Sequence, residues 1–244
     1  LLGCWNLADG KLNWLADGLK SMPIASDPWM VQDRLQALTI ARQDNLDSVL
    51  RLATFDPETG ELLQQVDLAR VTAVWHTRHV CETILVDDTI IAVLGGFVLA
   101  CDTQGRVRWI RKQVLLPADE ELDWVAQAIQ RPLSLNGHLY VTQPGVRAID
   151  CVEIPTGALL WRPYLPDLRH VLSVDGERVL VTTDNGFAAL SAADGKVLWR
   201  HAATDSLQAT WAGGTHGLVY VTTTPGRPGE LPGRTLGVGS VPAT

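Results

Sequence analysis

Large aromatic residues other than tryptophan are scarce in this chain: three Phe and three Tyr stand against nine Trp in 244 residues. Long apolar runs are missing too. The most continuous, residues 89–101, carries Gly95-Gly96 inside it and is too short to cross a bilayer as a helix, so no membrane span is expected in this segment. An apolar period of 3.6 residues never holds for long, which excludes a helical bundle; only residues 118–130, opened by Asp119, Glu120 and Glu121, read as a helical turn or two. Basic residues are outnumbered, 20 Lys and Arg against 27 Asp and Glu, for a formal charge of −7. Nucleic acid demands the opposite sign on a contact face, so no nucleic-acid partner is expected. Cys4, Cys81, Cys101 and Cys151 lie far apart and form no CxxC, which leaves zinc and dithiol chemistry unsupported. Neither a Gly-rich phosphate loop nor a Gly-x-Ser-x-Gly elbow is present. The text opens on Leu1 inside a pattern rather than a leader, and reads as a piece of a longer or processed chain.

What is present is a repeat. Gly10-Lys11-Leu12-Asn13-Trp14 recurs as Gly105-Arg106-Val107-Arg108-Trp109, Gly157-Ala158-Leu159-Leu160-Trp161 and Gly195-Lys196-Val197-Leu198-Trp199. A fifth copy, Gly60-Glu61-Leu62-Leu63-Gln64, has Gln in place of Trp. The uneven spacing suits a supersecondary unit with loops of different length and excludes a coiled coil or tight solenoid. Each copy has the same grammar. A strand-like stretch (residues 50–55, 187–191) runs into a turn closed by Gly, the residue for which a positive φ is cheap, and a β-favouring stretch then leads to the Trp. Upstream, Asp87-Asp88, Asn136-Gly137 and Asp175-Gly176 mark further hairpins, each followed by an apolar strand (89–94, 138–142, 178–182). Four short antiparallel strands per repeat predict an all-β chain, a β-propeller of four-stranded blades with about four to five blades present and the ring incomplete. The repeats occupy residues 1–224; residues 225–244, rich in Pro and Gly, read as a disordered tail.

The segments 55–63, 152–161 and 189–199 resemble the pyrroloquinoline quinone (PQQ) repeat, whose pattern is roughly Ala-Leu-Asp-x-x-Thr-Gly-Lys-x-x-Trp. The chain is thereby similar to the PQQ-like β-propellers, the BamB-like and quinoprotein alcohol dehydrogenase-like superfamily. Its departures are Asn6, Glu153 and Ser191 at the Asp position and a turn one residue short before Gly105. The resemblance implies that the tryptophan docks on the neighbouring blade and that Asp and Thr of the turn hold it by hydrogen bonds. Trp14, Trp109, Trp161 and Trp199, with Gly60, Gly157 and Gly195, are therefore expected to be blade-docking residues. It also implies an extracytoplasmic location and a non-catalytic scaffold or sensor that binds protein partners through the loops between blades, residues 15–28, 66–78, 112–127 and 163–169. The alternative within the superfamily is a fragment of a PQQ-dependent oxidoreductase with calcium. That reading lacks the adjacent cysteine pair of such enzymes and an assignable calcium set, so no cofactor and no catalytic residue are expected.

Two other features stay open at this level. Trp29, Trp75, Trp124 and Trp211 fall between repeats, either as core packing or as a ring of indoles near one mouth of a channel. His76, His79 and Cys81 invite a metal reading, but His76 does not share a strand face with the other two, so no metal is expected. The cluster from Asp119 to Asp123 reads as solvated surface.

Overall fold

The computed structural model describes residues 2–16, 23–42, 47–72, 81–94, 96–113, 131–143, 146–184, 186–202, 207–215 and 218–225. Twenty strands and no α-helix are found among them. The first two, β1 (Gly3–Trp5) and β2 (Leu12–Leu15), make a two-stranded sheet. Four consecutive four-stranded sheets follow. Blade I holds β3 (Trp29–Val31), β4 (Arg34–Arg42), β5 (Asp47–Phe55) and β6 (Leu62–Thr72). Blade II holds β7 (Cys81–Val86), β8 (Thr89–Leu94), β9 (Phe97–Asp102) and β10 (Val107–Lys112). Blade III holds β11 (Leu133–Leu135), β12 (His138–Gln143), β13 (Ala148–Glu153) and β14 (Leu159–Trp161). Blade IV holds β15 (Leu168–Val174), β16 (Arg178–Thr183), β17 (Gly186–Ser191) and β18 (Val197–Ala202). A last pair, β19 (Leu207–Thr215) and β20 (Leu218–Pro225), closes the series. Every sheet is an antiparallel meander in chain order, so the fold is a β-propeller whose ring is open.

Local chemistry sets the meander. Val31 pairs with Arg34 across Gln32-Asp33, and Leu135 with His138 across Asn136-Gly137, with both central residues at positive φ (46° and 60°; 52° and 77°). That two-residue mirror turn matches the twist of the strands it joins. The second kind of turn, between the third and fourth strand of a blade, ends on Gly60, Gly105, Gly157 or Gly195 at φ +71° to +84°. Its first residue takes the bond from the glycine: Asp56 O from Gly60 N at 2.9 Å, Glu153 O from Gly157 N at 2.8 Å, Ser191 O from Gly195 N at 2.8 Å. In the shorter turn the same bond runs from Gly105 N to Asp102 O at 2.9 Å.

Burial follows from blades being covered on both faces. β8, Thr-Ile-Ile-Ala-Val-Leu, is buried at every position, because successive side chains serve different seams. Ile90, Ala92 and Leu94 pack with Leu38, Leu50 and Leu52 of blade I; Ile91 and Val93 pack with Leu139, Val141 and Val152 of blade III. Tyr140, Ile149 and Cys151 meet Val179, Val181 and Leu190 in the next seam, and Leu2 and Trp14 meet Ala53 and Phe55 in the first. Among the described residues the apolar side chains form one layer per seam rather than a single core.

One expectation from sequence is overturned by the structure, and others fall outside the described residues. Residues 66–72 were expected in a loop but continue β6: Leu68 is buried in the seam with blade II, and Arg51 Nε donates to Asp67 Oδ1 at 2.6 Å across the strands. Residues 118–130, with the acidic cluster, lie outside the described residues, as do His76, His79, Trp75 and Trp124. β20 runs through Pro225, and residues 226–244 are also outside them.

Candidate functional site

The repeated feature is the seam. Trp14 Nε1, from β2, donates to Pro57 O of the blade I turn at 2.9 Å. Trp109 Nε1, from β10, donates to Ile154 O at 2.7 Å, and Trp161 Nε1, from β14, to Ala192 O at 3.0 Å. The acceptor is each time the residue after the turn's opening position, three before its glycine. The indole then lies against that glycine. A Cβ built on Gly60 would sit 2.4 Å from Trp14, on Gly157 2.6 Å from Trp109, and on Gly195 2.8 Å from Trp161. The glycine is thus needed twice, for its left-handed backbone and for the room a side chain would take.

Turn carboxylates do a different job from the one the resemblance implies. Asp56 Oδ1 accepts from Glu58 N and Thr59 N at 2.8 and 3.0 Å, and those bonds hold its carboxyl below the ordinary range. The indole goes to a backbone carbonyl instead. At the seam between blades I and II, Gln64 occupies the tryptophan position, and Val66 fills the place: a Cβ on Gly105 would sit 2.8 Å from its Cγ1. Trp199 is 44% exposed and touches no described glycine turn, unlike Trp14 and Trp109 at 9%.

A second cluster was not foreseen. Asp150, 1% exposed, accepts from Arg162 Nε and Nη2 at 2.5 and 2.7 Å and from Gln143 Nε2 at 3.0 Å. Arg111 of blade II stands 3.7 Å from the same carboxylate and donates to Gly157 O at 2.8 Å, strapping blade II to blade III. Strand register puts Ala53, Leu99 and Ala188 at the equivalent places in the other blades. An Asp inside the apolar run 148–152 and an Arg directly after Trp161 were the available signals.

The blade-linking edge carries its own ion pairs. Arg147 Nη1 donates to Pro166 O at 2.6 Å, Arg147 and Arg169 both meet Asp184, and Arg200 meets Asp167 at 2.6 Å. Leu165, 2% exposed, anchors the connector between blades III and IV, while its neighbour Tyr164 is 69% exposed. On the opposite edge a pocket of about 470 Å³ opens between the same blades, lined by Asn136, His138, Tyr140, Glu177, Ser191 and Leu198. Trp29 packs against the blade I–II core, with its Nε1 buried and unpartnered among the described residues. Trp211 lies in β19 opposite Thr222.

As for cofactor chemistry, among the described residues no three His, Cys, Asp or Glu side chains stand close enough to hold a metal ion. The four cysteines are free thiols; burial pushes Cys101 up to about 12 and Cys151 to about 11, and Cys81 higher still. Among the described residues no helix is long and apolar enough to cross a membrane.

Repeats of this design, with indole, glycine turn and carbonyl acceptor in register, match a known family model over residues 1–143 and 123–231. Its description is outer membrane protein assembly factor BamB. The chain belongs to this family. A solved BamB structure, from Moraxella catarrhalis, is similar with 12% identity and a TM-score of 0.50, over 89% of this chain and 74% of that one. Two other structures are also similar: BBS1N in complex with ARL6DN (14%, TM-score 0.46, 82% of this chain and 72% of that one) and the Neurospora crassa Pan2 WD40 domain (9%, TM-score 0.43, 84% and 61%). No curated protein matches. Within the BamB family, then, the repeat tryptophans of this member sit at blade seams where they are described in contact.

Proposed function

We propose that this BamB-family propeller is a non-catalytic scaffold that binds a protein partner through the connectors between blades. The observation that carries the reading is the 163–167 connector, where buried Leu165 and the Arg147–Pro166 hydrogen bond hold a rigid base under exposed Tyr164. An exposed aromatic on a fixed support is the kind of side chain that anchors protein interfaces, because little conformational entropy is lost when it is covered. The family description, outer membrane protein assembly, supports an extracytoplasmic site of action. Trp14, Trp109 and Trp161 act in blade docking on this reading, and no quinone is required.

The test is site-specific photocrosslinking in cells, with the reactive residue at Tyr164 or Pro166 and, on the opposite edge, at Lys11 or Glu58. A discrete protein adduct from the connector positions, absent from the opposite edge, is the expected result. Equal labelling from both edges, or a saturable thermal stabilisation by PQQ with calcium, would sink the reading.

A further inference from the structure

The hollow of about 470 Å³ between blades III and IV falls in the size range of small-molecule sites. Its inner wall is apolar and aromatic. Tyr140 and Ala192 are buried, and the Tyr140 ring stands 5.8 Å from that of Trp161, tilted by 52°. The Tyr140 hydroxyl is bonded to the Cys151 thiol, and Trp161 Nε1 to Ala192 O at 3.0 Å. Both rings are therefore held in place from behind.

The rim is polar and equally fixed. Ile154 N donates to Gly137 O at 2.9 Å and pins the Asn136-Gly137 turn. Ala192 N donates to Glu177 O at 2.8 Å, and Glu177 N donates to Asp175 Oδ1 at 3.1 Å. The backbone that carries Asn136, His138 and Glu177 is thus set before anything binds, which lowers the ordering cost of binding. At the edge of the hollow, nothing lies within 4 Å of where a Cβ on Gly176 would stand.

Charge then selects the class of ligand. The residues lining the hollow include one carboxylate, Glu177, and neither lysine nor arginine. The Asn136 carbonyl oxygen and, in its neutral form, one ring nitrogen of His138 add acceptors for N–H donors. The whole chain carries −7, which favours the approach of a cation and opposes an anion.

We propose that this hollow binds a small organic cation, an amine or guanidinium on an apolar stem, with the stem against Tyr140 and Leu198 and the charged head at Glu177. The site is separate from the 163–167 connector, which lies on the opposite edge.

The experiment is isothermal titration calorimetry of the chain with three probes that share a phenyl stem: phenethylamine, phenethyl alcohol and 3-phenylpropionate. The amine is expected to bind saturably and about tenfold more tightly than the alcohol, between the limits for a charge contact in bulk water and near a protein surface. The propionate is expected to bind more weakly than either, and added salt to narrow the gaps. Glu177→Gln is expected to bring the amine down to the level of the alcohol and leave the alcohol unchanged. Gly176 is not in the left-handed region, so Gly176→Leu fits its backbone and fills the hollow. Ala193→Trp obstructs it from the neighbouring turn. Both are expected to abolish binding of every probe while leaving the circular dichroism of the fold unchanged. A capped peptide with one arginine separates the sources: binding as tight as that of the amine assigns the site to a polypeptide side chain, and weaker binding assigns it to a free amine. No saturable binding of the amine, equal affinity for all three probes, a preference that survives Glu177→Gln, or binding that survives both obstructions overturns the proposal.

Discussion

Trp109 and Gly157 share one seam so closely that a Cβ on the glycine would stand 2.6 Å from the indole Cγ. Gly137, at a similar φ of +77°, has nothing within 4 Å of its Cβ direction. The pair separates backbone strain from steric exclusion. Gly137→Ala should cost about 1 kcal/mol, from the left-handed conformation alone. Gly157→Ala should cost about 1–3 kcal/mol more, because the indole must move. Urea unfolding of both variants checks the difference.

Removing the ring tests the same seam from the other side. Trp109→Ala should destabilise by about 3–5 kcal/mol through lost burial and the cavity left behind. Trp109→Phe retains a ring but leaves Ile154 O without its donor, and should cost less, about 1–3 kcal/mol. Trp199→Ala should change stability by under ~1 kcal/mol because the indole is already 44% exposed. Equal losses for Trp109→Ala and Trp199→Ala in thermal unfolding would contradict this ranking.

The seam between blades I and II offers a swap. Val66→Ala uncovers the Gly105 turn and should cost about 1–2 kcal/mol. Gln64→Trp should stabilise only in that background, where the space is free. A double-mutant cycle should give coupling of at least about 0.5 kcal/mol, and additivity would refute it.

Asp150 should behave unlike a surface carboxylate. Asp150→Ala removes the carboxylate to which Arg162 and Gln143 donate and should cost about 3–5 kcal/mol. Asp67→Ala, which breaks the pair with Arg51 at a 62% exposed carboxylate, should cost under ~1 kcal/mol. Denaturant midpoints of the two variants decide the matter, and raising salt should affect only the exposed pair.

His170 gives a pH signature. Burial, and secondarily the charge of Arg169, hold its pKa below the ordinary 6.5. The folded state therefore binds fewer protons at this site than the unfolded chain, and stability rises with pH. The contribution is fully present above 6.5 and is lost as pH falls from there toward the folded value. Melting temperature should drop between pH 7.5 and 5.5, and His170→Phe should flatten the drop. An equal drop in both proteins would remove His170 as its cause.

Some of this was legible in one dimension. Turn glycines at 60, 105, 157 and 195, the Asn136-Gly137 hairpin and the alternating apolar strands are local devices. Their backbone requirements are met or missed by neighbouring residues, so the four-stranded repeat and the all-β class follow from reading them in order. The extension of β6 past Val66 is not legible locally, because Leu68 is covered by blade II and that cover lies outside the strand itself.

The sequence by itself determined the repeat, its turns and the recurrence of an indole, since each rests on chemistry within a few residues. Tertiary structure decided which turn each indole covers, that a backbone carbonyl receives it, that Val66 stands in for a missing tryptophan, and that Asp150 is held by arginines from two blades. Apart from the Arg162–Asp150 pair, which lies within blade III, those contacts join residues some forty positions apart across a seam, and no local preference encodes the distance between two sheets.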